Sequence, residues 1–173
     1  MSLSLHQASV PTFIAMLTNI KSWLDKASAQ QDEGLLIEAR LAPEMFALAR
    51  QVQIASDTAK GAAARLAAVD APAMPDTEAS FADLKARCDK TITYLQSIEA
   101  DAYSAGETRE IVITFPNGSG LRFDGKTFLT GYALPNFYFH VAMVYAILRN
   151  QGVALGKQDF LAHLAPNMFA PPA

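Results

Sequence analysis

Apolar residues recur at helical spacing in four long stretches of the chain. These stretches cover about residues 3–29, 43–69, 77–103 and 127–152. In each stretch the apolar positions fall on one face of a helix, the pattern of an amphipathic helix packed on a core. Pro11 removes a backbone donor, so it should kink or restart the first helix. The pattern predicts four long helices, each burying one face.

The hydrophobic period changes between the third and fourth predicted helices. Residues 110–115 are mostly β-branched and aromatic, residues 116–120 are rich in turn formers, and residues 121–124 alternate between apolar and polar. This order predicts a β-hairpin. Two strands alone are only marginally stable, so the hairpin should lie on the helices or on a partner. Residues 157–164 are expected to form a short helix near the C-terminus.

Together these elements predict an all-α protein. We expect an up-down-up-down four-helix bundle with a small β-hairpin inserted before the last helix and a short C-terminal helix. The chain shows no internal repeat and no linker, so residues 1–173 are expected to form a single helical bundle domain. Its core should contain ten residues from the apolar faces: Phe13, Met16, Ile20, Leu48, Val52, Leu84, Cys88, Leu95, Met143 and Ile147. The single cysteine is therefore expected to be a buried, inert thiol.

Two polar residues interrupt the apolar face of the fourth predicted helix. At about 100° per residue, Asn136 and His140 fall within roughly 60° of the line through Met143, Val144 and Ile147. A buried imidazole or amide without a hydrogen bond costs on the order of 1–3 kcal/mol. The two side chains are therefore expected either to be satisfied by core partners or to contact a ligand, and the spacing leaves both alternatives open.

Composition narrows the classes of function. With a net charge of −3 and no cluster of Lys or Arg, the chain is not expected to bind nucleic acid. One cysteine excludes an internal disulfide and a metal site built from several cysteines. Neither a signal-like N-terminus nor an apolar run long enough for a membrane span is found. We expect a cytoplasmic protein without a membrane partner.

Four segments of the chain carry a resemblance to a known family. They are residues 41–46 (LAPEMF), 51–53 (QVQ), 135–140 (PNFYFH) and 147–153 (ILRNQGV). These segments are similar to an uncharacterised bacterial family of unknown function. The chain has four predicted helices, a hairpin before the last helix and a histidine in the middle of that helix. In these features it resembles the DinB-like (YfiT-like) four-helix-bundle superfamily of metalloenzymes.

The resemblance implies a site. Members of the superfamily hold a divalent metal with one His on the second helix and a His-x-x-x-His pair on the fourth, and several are thiol transferases or hydrolases. By position, the fourth-helix pair falls on Asn136 and His140, and the second-helix ligand falls near Gln51 or Gln53. One imidazole and two amides bind a transition metal less well than three imidazoles. His140 is the only plausible metal ligand.

We predict that the protein binds a small molecule in a polar pocket around His140, with Asn136, Gln51 and Gln53 as further ligand-binding residues and a degenerate metal site. No catalytic residue is assigned, and no cofactor is expected other than a possible divalent metal. The alternative is a divalent-metal-dependent hydrolase or thiol transferase that uses His140 as ligand or base. A third alternative is an interaction protein whose pocket no longer has a role.

The surface of the predicted bundle also suggests self-association. The second helix is rich in alanine, and the fourth carries Tyr138 and Tyr145 among alanines on the face away from His140. Small residues beside tyrosines allow helices to approach closely while the rings supply contact area. We predict a homodimer that uses the fourth helix or the hairpin. The alternative is that the two tyrosines pack under residues 166–173.

Overall fold

The helical periodicity of the sequence is realised in four long helices. The computed structural model describes residues 3–169. The long helices are α1 (Leu5–Ser28), α3 (Leu48–Ala67), α4 (Phe81–Ser97) and α6 (Leu134–Asn150). Short helices are α2 (Glu33–Ile37), α5 (Gly125–Phe128) and α7 (Lys157–Phe160), and 3-10 turns cover Ala100–Tyr103 and Ala162–Asn167. The mostly helical class, with an inserted hairpin and a short C-terminal helix, is confirmed.

The directions of the helices differ from the predicted up-down-up-down order, because α3 and α4 run parallel. Gln53, near the start of α3, donates to Glu78, just before α4. Tyr94, near the end of α4, donates to the carbonyl of Asp70, just after α3. The corresponding ends of α3 and α4 therefore lie side by side.

The other long helices complete an up-down-down-up order. Helices α1 and α4 are antiparallel, as are α3 and α6, since side chains early in one helix meet side chains late in the other. The pairs that show this are Lys21–Asp89 and Asp25–Lys85 for α1 and α4, and Gln51–His140 and Thr58–Asn136 for α3 and α6. The predicted order is wrong at the third helix because residues 68–80 return along α3. A helix the length of α3 spans about 30 Å, which a connection of this length can cover.

Two helices begin later than the sequence pattern predicted. Helix α3 starts at Leu48, after Ala47 in an extended conformation, and not at Pro43. Helix α4 starts at Phe81, where the Ser80 side chain caps it by accepting from the Asp83 amide. Helix α1, in contrast, continues through Pro11 to Ser28.

The predicted hairpin is confirmed and rests on the bundle. Strands β1 (Glu110–Thr114) and β2 (Gly120–Asp124) pair antiparallel, and Ile111 of β1 is buried. At the end of β2 the chain passes very close to another turn. A Cβ atom on Gly125 would lie 1.9 Å from the carbonyl oxygen of Gly106, so only glycine fits there. This contact fixes the end of the hairpin to the bundle.

Nine of the ten predicted core residues are buried. The exception is Met143, which is only half-buried. The buried face of α6 is rotated away from it and centres on Phe137, Val141, Val144 and Leu148, all fully buried. Cys88 is completely buried as predicted, and burial raises the pKa of its thiol to about 12. Within residues 3–169, no helix has the length and apolar character needed to cross a membrane.

Candidate functional site

The candidate site lies along the seam between α3 and α6. His140, in the middle of α6, is 7% exposed, and its Nδ1 lies 2.7 Å from Oε1 of Gln51 on α3. Gln51 is almost completely buried and donates from its Nε2 to the carbonyl oxygen of Phe46 at 3.1 Å. The turn before α3 therefore fixes the amide that holds the imidazole.

This chain of hydrogen bonds determines which ring nitrogen of His140 is available. Because the amide nitrogen of Gln51 donates to Phe46, its oxygen is the group that faces the imidazole and can only accept. Nδ1 of His140 must then carry the proton. In the neutral ring, Nε2 keeps its lone pair and can accept a proton or a hydrogen bond.

The surroundings of His140 favour the neutral ring. Burial lowers the pKa of His140 below its ordinary value, and the positive charge of Arg50 lowers it further. This shift favours the neutral imidazole over the imidazolium at neutral pH. The Nε2 atom of the neutral ring can accept a hydrogen bond, accept a proton or coordinate a metal ion.

Asn136 lies one turn earlier on α6, and its Nδ2 donates to Oγ1 of Thr58 on α3 at 2.9 Å. Both residues are half-buried and line a cleft of about 230 Å³. The hairpin and the π-helical turn at Leu129–Ala133, which leads into α6, form the other walls. A π turn inside a helix is frequent at functional sites.

Gln53 is not brought to this seam. Its Nε2 donates to Glu78 at 2.9 Å, and its Oε1 accepts from Arg50 at 3.2 Å. The structure thus places Gln51 against His140 and Asn136 on the next turn, while Gln53 faces the connection before α4. The ligand-binding roles of all four residues stay predictions.

A buried arginine on α4 is the polar residue that sequence reasoning missed. Arg87 is 2% exposed and forms ion pairs of 2.8 to 3.1 Å with three carboxylates, those of Asp57, Asp76 and Glu78. Burial opposes its charge, but the hydrogen bond to Glu78 and the three negative charges raise the pKa of the guanidinium. The sequence signal that could have identified Arg87 is its position one residue before Cys88, at the edge of the buried face of α4.

The Arg87 cluster has a structural role. It joins α3, α4 and residues 68–80, and each carboxylate is already neutralised by a neighbouring cation. An exposed groove of about 610 Å³ runs beside it, between α4 and residues 72–78. Since its charges pair with one another, we expect the cluster to hold α3, α4 and residues 68–80 together.

The donor set of the seam does not fit a transition-metal centre. His140 offers one nitrogen, the oxygen of Gln51 faces that same ring, and the other nearby amide belongs to Asn136. Across residues 3–169, no three His, Cys, Asp or Glu side chains come close enough together to hold a metal ion. Neutral amides are weak ligands for such metals.

Comparison with known proteins agrees with this fold. Residues 5–161 match the family described as "Domain of unknown function (DUF1993)". The structure is similar to that of a DinB family member protein from Shewanella denitrificans, with 38% sequence identity, 96% coverage of each chain and a TM-score of 0.87. No protein of curated function matches. The resemblance noted in the sequence is confirmed at the level of fold and family.

Proposed function

The chain belongs to the DUF1993 family, and we propose that this member binds a small molecule in the seam between α3 and α6, in contact with His140. The observation that carries the proposal is the oriented imidazole. Nδ1 of His140 is hydrogen-bonded to Oε1 of Gln51, and Nε2 of the neutral ring keeps its lone pair. Such a nitrogen accepts a hydrogen bond from a hydroxyl, amide or thiol of a ligand.

The residues around His140 supply apolar contact area as well. Phe46, whose carbonyl anchors Gln51, has a side chain that is 53% exposed, and Phe139 beside the imidazole is 52% exposed. The guanidinium of Arg50 lies 6.0 Å from the centre of the Phe46 ring. Exposed aromatic rings next to a few polar groups are typical of ligand sites.

A screen of small molecules tests the proposal. Thermal shift and protein-observed NMR would be measured for the wild-type protein, His140→Ala and the matched control His163→Ala near the C-terminus. Ligands that bind wild-type protein and His163→Ala but not His140→Ala are expected. If every ligand found binds His140→Ala as tightly as wild type, the proposal is wrong.

The metal-dependent enzyme remains the competing hypothesis, and the donor set argues against it. Elemental analysis of protein purified without an affinity tag separates the two. We expect no transition metal at stoichiometric level. One equivalent of metal that is lost in His140→Ala would instead favour a hydrolase or transferase with His140 as ligand.

We also propose that the protein forms a homodimer. Tyr138 and Phe139 of α6 are 40% and 52% exposed, and Val112 of the hairpin is 47% exposed. Tyr145 does not belong to this surface, because its ring packs against Trp23 and Phe160. Residues 170–173, which belong to the segment predicted to cover the tyrosines, lie outside the described residues.

A further inference from the structure

The cleft next to Asn136 is lined by polar side chains from three elements, α3, the π turn and α6, and by apolar side chains from several. Its volume is about 230 Å³. The polar residues are Asp57, Thr58 and Arg65 of α3, Tyr132 of the π turn and Asn136 of α6, and Ile54, Ile113 and Phe128 are among the apolar ones. Ligand sites commonly combine an apolar wall with a few polar groups of this kind.

Arg65 gives the cleft a positive charge. Its guanidinium folds back along α3 and donates to the carbonyl of Gly61 at 2.9 Å, and no carboxylate within residues 3–169 forms an ion pair with it. The charge of Asp57, in contrast, is neutralised by Arg87 at 2.8 Å and Lys60 at 3.1 Å. The cleft therefore presents an unpaired cation and a carboxylate that is already paired.

Gly61 makes room for this guanidinium. A Cβ atom at Gly61 would lie 2.6 Å from Nη1 of Arg65, too close for both to keep their positions. Glycine inside a helix is otherwise unfavourable by about 1 kcal/mol relative to alanine. An alanine at position 61 would therefore require the end of the exposed Arg65 side chain to move.

Thr58 of α3 and Asn136 of α6 offer hydrogen-bonding groups for which residues 3–169 provide no further partner. Asn136 donates to the Thr58 hydroxyl, so its Oδ1 can accept and the hydroxyl proton of Thr58 can donate. The half-buried phenol of Tyr132 adds a further donor and acceptor. Together these groups match a hydroxyl group, which both donates and accepts.

We infer that this cleft binds a small organic carboxylate that also carries a hydroxyl group. Its carboxylate contacts Arg65, its hydroxyl contacts Asn136 and Thr58, and its carbon atoms contact Ile54 and Ile113. The volume lies below the roughly 300–1,000 Å³ of sites for drug-sized ligands, so the ligand is small. The inference rests on the proposed small-molecule binding and names the chemical class of the ligand that binds at this end of the seam.

Three probes of nearly equal size test the assignment: lactate, lactamide and propionate. Lactamide lacks the charge, and propionate lacks the hydroxyl group. In NMR titrations of the protein, lactate is expected to shift the side-chain amide signals of Asn136 and the signals of Thr58. Lactamide should bind about tenfold more weakly, because it loses a charge-assisted hydrogen bond.

Substitutions identify the group that binds the carboxylate. Arg65→Gln should weaken lactate binding about tenfold and leave lactamide binding unchanged. The matched control is Arg149→Gln, since Arg149 is also exposed and donates to a backbone carbonyl four residues away, that of Val153.

Several results would overturn the inference. One is that lactate binds wild type and Arg65→Gln with equal affinity. Another is that lactamide or propionate binds as tightly as lactate. The third is that lactate leaves the NMR signals of Asn136 and Thr58 unchanged. These outcomes are distinguishable from failure of the proposed function. Ligands that depend on His140 but not on Arg65 would leave the proposed function standing. Carboxylate binding here with no ligand dependent on His140 would contradict the proposed function and leave the assignment of this cleft standing.

Discussion

One neighbour, Gln51, sets the tautomer and the orientation of the His140 imidazole. Gln51 accepts from Nδ1, and Gln51 is itself held by the carbonyl of Phe46. A hydrogen-bonded partner on one ring nitrogen is the usual way in which proteins choose the tautomer of a functional histidine. At the residue scale, the site is therefore a neutral acceptor with a fixed orientation.

Replacing Gln51 by Glu should raise the pKa of His140. A carboxylate next to Nδ1 stabilises the imidazolium, against the burial and the Arg50 charge that lower this pKa in the wild-type protein. NMR titration of the ring signals in both proteins checks the shift. An unchanged or lower pKa in Gln51→Glu would show that the two side chains do not interact as described.

The lowered pKa of His140 also predicts how stability depends on pH. In the unfolded chain the imidazole has its ordinary pKa of about 6.5, so as pH falls the unfolded state takes up the proton first. The stabilisation by neutral His140 is present above that pH and is lost as pH falls towards the folded-state pKa. The free energy of unfolding, measured with urea from about pH 7.5 to about pH 5, should fall more in wild type than in His140→Gln. Equal slopes would contradict the lowered pKa.

At the scale of elements, α6 shows how a helix acquires its buried face. It packs against both α1 and α3, with the rings of Phe13 and Phe137 in edge contact at 4.8 Å. A helix between two neighbours buries more than the single stripe that the pattern marks. Met143 consequently lies at the margin and Val141 at the centre.

Alanine substitutions on α6 should show which side of this helix is buried. Ile147 is 1% exposed, so Ile147→Ala is expected to reduce the free energy of unfolding by about 2–5 kcal/mol. Met143→Ala removes a side chain that is only half-buried and should cost clearly less. Urea unfolding of the two variants measures the difference. Equal losses would place Met143 back in the core.

The contact between α3 and α4 depends on a buried charge cluster. Arg87→Met should cost about 1–3 kcal/mol of unfolding free energy, because Glu78, whose side chain is 11% exposed, loses its cation. The other two carboxylates, of Asp57 and Asp76, are 39% exposed and keep Lys60 and Arg50 as partners. The control is Lys85→Met on the same helix, whose ion pair with Asp25 is exposed and contributes at most about 1 kcal/mol. Comparable losses in both variants would mean that the Arg87 cluster does not stabilise the fold.

At the scale of the whole molecule, the hairpin and the C-terminal segment dock on different parts of the bundle. The hairpin packs on the π turn through Phe123 and Tyr132, whose rings lie 5.9 Å apart. Phe160 of α7 stacks on Trp23 of α1 at 5.4 Å. These contacts leave the outer part of α6 around Tyr138 exposed.

This exposed part of α6 leads to a prediction about assembly. Light scattering over a dilution series is expected to show a dimer that weakens in Tyr138→Glu, because the charge would be desolvated at the interface. Tyr138→Phe keeps the ring and serves as the control. A mass of about 18.7 kDa at every concentration would contradict the dimer. A dimer that survives Tyr138→Glu would place the interface elsewhere.

The sequence by itself determined the elements and much of the core. Hydrophobic period and turn residues located the four helices and the hairpin, because these signals are local. The same signals singled out Asn136 and His140 on the apolar face of the fourth helix. Family resemblance pointed to Gln51 or Gln53 on the second long helix, and the fold brings Gln51 to within hydrogen-bonding distance of His140.

Only the tertiary structure decided which helices are neighbours and which way each one runs. A periodic pattern marks one face of a helix but carries no information about direction, so the parallel course of α4 depended on the path of residues 68–80. The same path places Glu78 next to both Gln53 and Arg87. Gln53 therefore faces α4 and Gln51 faces α6, because two residues that are two positions apart on a helix point in different directions.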